Sequence, residues 1–306
     1  MAPHARQPEQ TIDLPAPTRN AGPMLSPPLI PSGKARVAGV AGWPVAHSRS
    51  PRIHGFWLRR YGIDGAYVPL AIRPEQFDLA VRGLAAAGFS GINVTVPHKR
   101  AAFELCDVLS PAARRAGAAN TLVFEAGRIS GDNTDGWGFL ASLRERGIDP
   151  AAGPALLLGA GGSSRAIAAA LQDCGVTVTL ANRTRERAEA MARDLPGLRV
   201  IAWERRSAAL GDQALLVNTT TLGMAGQPAL SIDLDRAGPR MAVADIVYVP
   251  LETPLLAQAR ARGLIAVDGL GLLLHQARPG FAAWFGVAAE VDAALRDFVL
   301  ADLLPA

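Results

Sequence analysis

Ala155-Leu156-Leu157-Leu158-Gly159-Ala160-Gly161-Gly162-Ser163-Ser164-Arg165 is the stretch that decides the fold of this chain. Four apolar residues ending at a glycine read as a strand buried on both faces, and the Ala-rich run after Arg165 reads as a helix. Strand, glycine turn and helix in that order make a dinucleotide-type unit. Glycine lets the backbone approach a pyrophosphate, and the helix N-terminus faces its charge. The third fingerprint position is Ser164 in place of Gly or Ala, so the match is imperfect. The next strand supplies context: it ends in Asn182-Arg183-Thr184, where a chain that prefers NAD carries Asp or Glu for the ribose hydroxyls. A guanidinium at Arg183, with Arg187 one turn into the following helix, suits a 2′-phosphate instead and predicts NADP.

Working outward, strand-like and helix-like segments alternate in the manner of parallel βαβ units. The segment after the glycine turn predicts strands over 176–181, 199–202, 214–218, 241–245 and 264–267. An earlier series predicts strands over 35–40, 66–70 and 91–96, helices over 51–61 and 75–87, and a short pair over 121–124 and 128–131. Two last helices, 270–284 and 290–300, have no further strand to serve, and packing back on the first series is one place for them. The 306 residues suffice for two ordinary domains. Residues 1–34 carry eight prolines and no hydrophobic period, which predicts a disordered or extended head; no apolar core follows its basic residues, so it does not read as a signal peptide.

Composition excludes several classes. A net charge of +4 is small for this length, and the arginines are scattered without aromatic interleaving, which argues against nucleic acid. No apolar run reaches bilayer length, so no membrane span is expected. Cys106 and Cys174 are isolated and read as small buried side chains in a reducing cytoplasm. The five histidines, at 4, 47, 54, 98 and 275, lack ligand spacing, so no metal site is expected.

Chemistry concentrates in Asn93-Val94-Thr95-Val96-Pro97-His98-Lys99. Alternation places Asn93 and Thr95 on one strand face and Val94 and Val96 on the other. An amide and a hydroxyl at the carboxyl end of a central strand need partners, which a polar ligand supplies. Lys99 opens the next helix, where a cation opposes the helix dipole and serves stability poorly. Gly131-Asp132-Asn133-Thr134-Asp135-Gly136 reads first as a turn. Asp135 gains a role only where the fold brings it to Lys99, since a carboxylate there orients an ammonium that transfers a proton. In Ala46-His47-Ser48-Arg49-Ser50-Pro51, Ser48 or Ser50 suits a helix cap or a grip on a substrate carboxylate.

Together these segments resemble the shikimate/quinate dehydrogenase family from residue 35 to residue 300. Further matching pieces are Gly42-Trp43-Pro44-Val45, Ala118-Ala119-Asn120-Thr121, Asp245-Ile246-Val247-Tyr248, Thr253-Pro254-Leu255-Leu256 and Asp268-Gly269-Leu270-Gly271-Leu272-Leu273-Leu274-His275-Gln276. The resemblance implies an α/β chain of two domains with the active-site cleft between them. The substrate-binding domain takes 35–136 and the C-terminal helices 270–306, and a Rossmann-like NADP domain takes 137–269. It implies NADPH-dependent reduction of 3-dehydroshikimate to shikimate, a step toward chorismate and the aromatic amino acids, with Lys99 and Asp135 as catalytic pair. Ser48, Ser50 and Tyr248 are implied for the substrate carboxylate, and Asn93, Asn120, Asp135 and Gln276, with Thr95, for the ring hydroxyls. Gly159, Ala160, Gly161, Gly162, Ser163, Ser164, Asn182, Arg183, Thr184 and Arg187 are implied for NADP, with Asn218, Thr219 and Gly269 beside its ribose and nicotinamide. A cytoplasmic monomer or homodimer with no macromolecular ligand is expected. The rival readings are a quinate/shikimate dehydrogenase, an aminoshikimate dehydrogenase and, from another class, a non-catalytic sensor on the same fold.

Overall fold

The computed structural model describes residues 30–303. The first series folds as β1 (Arg36–Gly42), α1 (Ser50–Arg60), β2 (Gly65–Ala71), α2 (Phe77–Ala86), β3 (Gly91–Val94), α3 (Lys99–Leu105), β4 (Val108–Leu109), α4 (Pro111–Ala116), β5 (Thr121–Glu125) and β6 (Arg128–Asp132). Helix α5 (Asp135–Glu145) then leads to β7 (Ala155–Leu158), α6 (Gly162–Asp173), β8 (Val178–Ala181), α7 (Arg185–Asp194), β9 (Arg199–Ile201), β10 (Leu215–Asn218), β11 (Ala242–Asp245), α8 (Pro254–Ala261) and β12 (Ile265–Val267). The chain closes with α9 (Gly269–His275), α10 (Ala277–Phe285) and α11 (Ala293–Leu300).

Two six-stranded sheets result, in the orders β2-β1-β3-β5-β6-β4 and β12-β11-β10-β7-β8-β9. The second is parallel at every pairing, as the βαβ pattern predicts. The first is mixed, because the β5–β6 hairpin adds to β3 antiparallel while β1 joins β2 and β3 in parallel. Period two sorts the second sheet's core. Leu156, Leu158, Leu216 and Val243 pack on one face, and Ala155, Leu157, Val217 and Ala244 on the other. Order β10-β7-β8 makes β7 the strand at which the winding reverses, so the glycine turn at its carboxyl end opens into the crevice where such sheets bind ligands.

The C-terminal helices lie on the first sheet: Phe281, Trp284, Leu295 and Val299 share a core with Ala38, Val40, Trp57 and Tyr67. Two indole hydrogen bonds fix the seam, from Trp284 Nε1 to the Leu122 carbonyl (3.0 Å) and from Trp57 Nε1 to the Glu290 carbonyl (2.9 Å). A side chain at Gly91, where φ is +153°, would meet the Leu122 carbonyl at 2.1 Å and Trp284 Nε1 at 2.2 Å, so this seam requires glycine.

Several expectations change in detail. The strand predicted over 91–96 stops at Val94, and Val96 is 58% exposed instead of packed. The single helix predicted over 270–284 is two, broken at Gln276. The helix predicted over 75–87 opens with a 3-10 turn at Pro74–Gln76. Strand β4 and helix α4 are too short to leave a sequence period. Apart from residues 30–34, the predicted head lies outside the described residues; within it Ser32 bonds the Asp64 carboxylate through its backbone N–H (2.9 Å) and its hydroxyl. No described helix is long and apolar enough to cross a membrane.

Candidate active site

Lys99 opens α3 and Asp135 opens α5, and the tertiary fold brings them together: Lys99 Nζ donates to Asp135 Oδ2 at 2.6 Å. Asp135 is 5% exposed, and in the first turn of α5 its charge is favoured by the helix dipole. Its second oxygen accepts from Asn120 Nδ2 at 2.7 Å. Asn120 Oδ1 in turn accepts from the Thr134 N–H at 2.9 Å, so the carboxylate is held from both sides. Thr134 Oγ1 donates to the Gln276 carbonyl at 2.8 Å, which joins α5 to the break between α9 and α10. Close approach makes that joint possible, since a side chain on Gly138 would meet Gln276 N at 2.7 Å.

The pair borders a cavity of about 240 Å³ at the carboxyl ends of β1 and β3. Ser48, Ser50, Asn93, Thr95, Asn120, Tyr248 and Gln276 line it, together with Ser163 from the glycine turn. Every substrate-side residue expected from sequence is therefore gathered at one place. Ser48 Oγ accepts only a long bond from the Ser50 N–H at the start of α1 (3.4 Å), so the hydroxyl keeps its proton and a lone pair for a ligand, and Ser50 lines the same cavity. Asn93 corrects the argument from polar strand residues. Its Oδ1 accepts from Tyr67 (2.7 Å) and its Nδ2 donates to Thr121 Oγ1 (3.1 Å) and the Asn120 carbonyl (3.2 Å), so protein partners already satisfy it. Asn120 is likewise engaged through both amide atoms and acts on the cavity through Asp135. Tyr248 is pushed up from the usual phenol range by burial, against the opposing charge of Arg49. His98 is buried, with Nε2 2.8 Å from the Ile72 carbonyl and its ring stacked on Phe77, a structural role.

A second space, about 550 Å³, runs along the glycine turn and is lined by Gly159, Ala160, Gly161, Asn182, Arg183, Thr184, Arg187 and Thr219. Ser163 faces the first cavity and Gly161 the second, so the turn is their shared wall. Gly159 has φ +104°, and Gly161 and Gly162 have only open space where side chains would stand, the room a pyrophosphate needs. Asn182 Oδ1 accepts from the Ala160 N–H at 3.1 Å and fixes the turn to β8. Among the described residues neither Arg183 nor Arg187 is in an ion pair, whereas Arg185 between them is bound to Glu189 at 2.7 Å. Five expected cofactor residues are not in the lining of this space: Gly162, Ser163, which borders the first cavity, and Ser164, Asn218 and Gly269. Ser164 is wholly buried and donates to the Gly159 carbonyl at 2.5 Å, which closes the turn from within. Asn218 is buried, donates to Asp245 Oδ1 (3.0 Å) and holds the loop after β10. Gly269 packs on the Ile246 and Val247 carbonyls.

A larger cavity of about 670 Å³ opens at the amino-terminal edge of the second sheet. It contains none of these residues and lies opposite the strand ends where open α/β sheets bind ligands. Among the described residues no cluster of three His, Cys, Asp or Glu side chains could hold a metal. Sequence reasoning passed over Tyr67, whose hydroxyl pins Asn93 from a non-adjacent strand, and Arg49, which lines the cavity from within the Ser48–Ser50 motif itself.

Comparison with known proteins agrees with this layout. Residues 40–122 match the shikimate dehydrogenase substrate binding domain, and residues 146–221 match shikimate / quinate 5-dehydrogenase. A shikimate dehydrogenase (NADP(+)) of Acidiphilium cryptum is 68% identical over 276 residues, 90% of this chain and 100% of that protein. The chain belongs to the shikimate dehydrogenase family. Two solved structures are similar to it. Shikimate 5-dehydrogenase of Thermus thermophilus, in complex with NADP(H) and shikimate, superposes with a TM-score of 0.80 at 38% identity, covering 88% of this chain and 100% of that one. Quinate dehydrogenase of Corynebacterium glutamicum, in complex with NAD, reaches the same TM-score at 28% identity, covering 87% and 99%.

Proposed function

We propose that this chain is an NADP-dependent shikimate dehydrogenase of the shikimate pathway, reducing 3-dehydroshikimate to shikimate reversibly. The observation that carries the reading is the Lys99–Asp135 pair, 2.6 Å apart in a cavity that shares the glycine turn with the cofactor groove. Residues 35–136 with 270–306 form the substrate-binding part, and 137–269 the cofactor part. Gly159 to Ser163, Asn182, Arg183, Thr184 and Arg187 would hold NADPH, which would supply a hydride for the C3 carbonyl carbon. Lys99 Nζ gives its proton to the oxygen on which negative charge develops, and Asp135 keeps the ammonium oriented as it does so. In the reverse direction the same nitrogen accepts the proton of the C3 hydroxyl. Ser48, Ser50 and Tyr248 hold the ring carboxylate, while Thr95, Gln276 and the remaining lone pair of Asn93 meet ring hydroxyls. Fixing the ring between these groups converts an encounter into an oriented reaction.

Quinate dehydrogenation is the rival reading, favoured by the NAD-bound structural neighbour. Arg183 and Arg187 stand against it, because unpaired guanidiniums beside the groove suit a 2′-phosphate. Purified enzyme assayed with shikimate and with quinate, each with NADP and NAD, tests the proposal. Shikimate with NADP is expected to give the highest kcat/KM. A quinate value equal to or above it would transfer the chain to the rival, and no turnover of either acid would leave the aminoshikimate dehydrogenase and the sensor, which amine substrates then separate.

A further inference from the structure

Resting on that reading, the substrate is an acid whose carboxylate enters the Ser48/Ser50/Tyr248 end of the cavity, and three neutral hydroxyls are poor compensation for an anion leaving water. The titratable groups bordering the cavity are His47, Arg49, Lys99, Asp135 and Tyr248. Lys99 is already neutralised by Asp135 at 2.6 Å. Arg49 is different. Its Nη1 lies 2.6 Å from Asp302 Oδ2, beyond the end of α11, and Asp302 Oδ1 also serves Arg52 Nε at 3.4 Å. Two guanidiniums share one carboxylate, so the cluster retains positive charge. Arg49 Nε is buried without an acceptor, so protein partners do not fully satisfy this guanidinium. The Arg49 charge also acts on the phenol of Tyr248 across the same end of the cavity.

We infer that Arg49, anchored by Asp302, is a substrate-binding residue that supplies the positive charge for the substrate carboxylate. Ser48 and Ser50 then fix the direction of that group, and Arg49 offsets its charge. The interaction is made before the reaction and persists through it, because the carboxylate is remote from the reacting C3; it therefore acts on KM more than on kcat.

The test compares shikimate with its uncharged methyl ester in wild type, Arg49→Gln and Arg49→Lys, with NADP saturating. Arg49→Gln is expected to raise KM for shikimate about tenfold or more and to change KM for the ester by less than about threefold. Arg49→Lys, which keeps the charge and loses the fork, is expected to restore part of the affinity for the acid. An equal rise for acid and ester, an unchanged KM for the acid, or a lysine variant as poor as the glutamine one would each overturn the inference. Were Arg49→Gln to misfold, Arg49→Lys alone decides: its KM must rise for the acid and stay for the ester. Absence of shikimate turnover in the wild type would instead strike the proposed function, so the two failures are told apart.

Discussion

Replacing Lys99 with Met keeps a side chain of similar length and removes the ammonium that lies 2.6 Å from Asp135 Oδ2. Two effects follow, of different size and observable. On stability, Asp135 loses one charged hydrogen bond and keeps that from Asn120. The Lys99 side chain is 22% exposed and that of Asp135 7%, so the pair sits between a solvent-screened surface bridge and a fully buried one, and its loss costs about 1–3 kcal/mol. At roughly 2–4 °C per kcal/mol for a chain of this size class, the melting temperature falls by several degrees and the variant stays folded at 25 °C. On catalysis, the lost proton transfer lowers kcat by roughly 10²- to 10⁴-fold, about 2.7–5.5 kcal/mol of barrier. Steady-state NADPH formation from saturating shikimate reads kcat, and a thermal melt on the same sample shows that the loss is per folded molecule. KM for shikimate should move less than kcat. Because Lys99 and Asp135 act as one unit, Asp135→Asn added to Lys99→Met should lower kcat little further. Turnover within tenfold of wild type, or fully additive losses in the double variant, would refute the assignment.

Arg183→Ala with Arg187→Ala should reduce kcat/KM for NADP by about 10²-fold or more while that for NAD changes little, each charge-assisted contact contributing about 1.5–3 kcal/mol; equal losses with both cofactors would count against the 2′-phosphate site. A chain starting at Ser32 should fold and turn over as the full chain does, since the Acidiphilium relative is matched over its whole length by 90% of this one; loss of soluble enzyme would show that the missing segment docks. Burial lowers His54 from 6.5 to about 3, so the folded state resists protonation that the unfolded chain accepts. Its contribution to stability is complete above pH 6.5 and is lost between there and pH 3, at about 1.4 kcal/mol per pH unit. His54→Phe, in the same aromatic cage beside Tyr67, should flatten that acid limb in urea melts from pH 7 to pH 4, and an unchanged limb would mean that other groups control it.

Local physics made much of this protein readable in its sequence. The run from Ala155 to Leu158, the glycines after it and the arginines after β8 carry their meaning in short-range chemistry, because a buried strand must be apolar and a phosphate-facing turn must lack side chains. Those signals placed the parallel second sheet and its groove to within a residue or two at each strand. Lys99 and Asp135 were a different case. Each had an ordinary local reading, a solvated helix start and a polar turn, and the bare residues gave no distance between them. Only the packing of α5 against α6 and α9, with Thr134 tied to the Gln276 carbonyl, brought them to 2.6 Å. The same long-range packing gives the side chains of Ser164 and Asn218 protein partners, so that they hold the turn and the loop from inside. It also set Asp302 against Arg49 across some 250 residues of chain. Sequence neighbours determine what a backbone segment can become, and the partners of a polar side chain are decided by whichever elements the core brings alongside it.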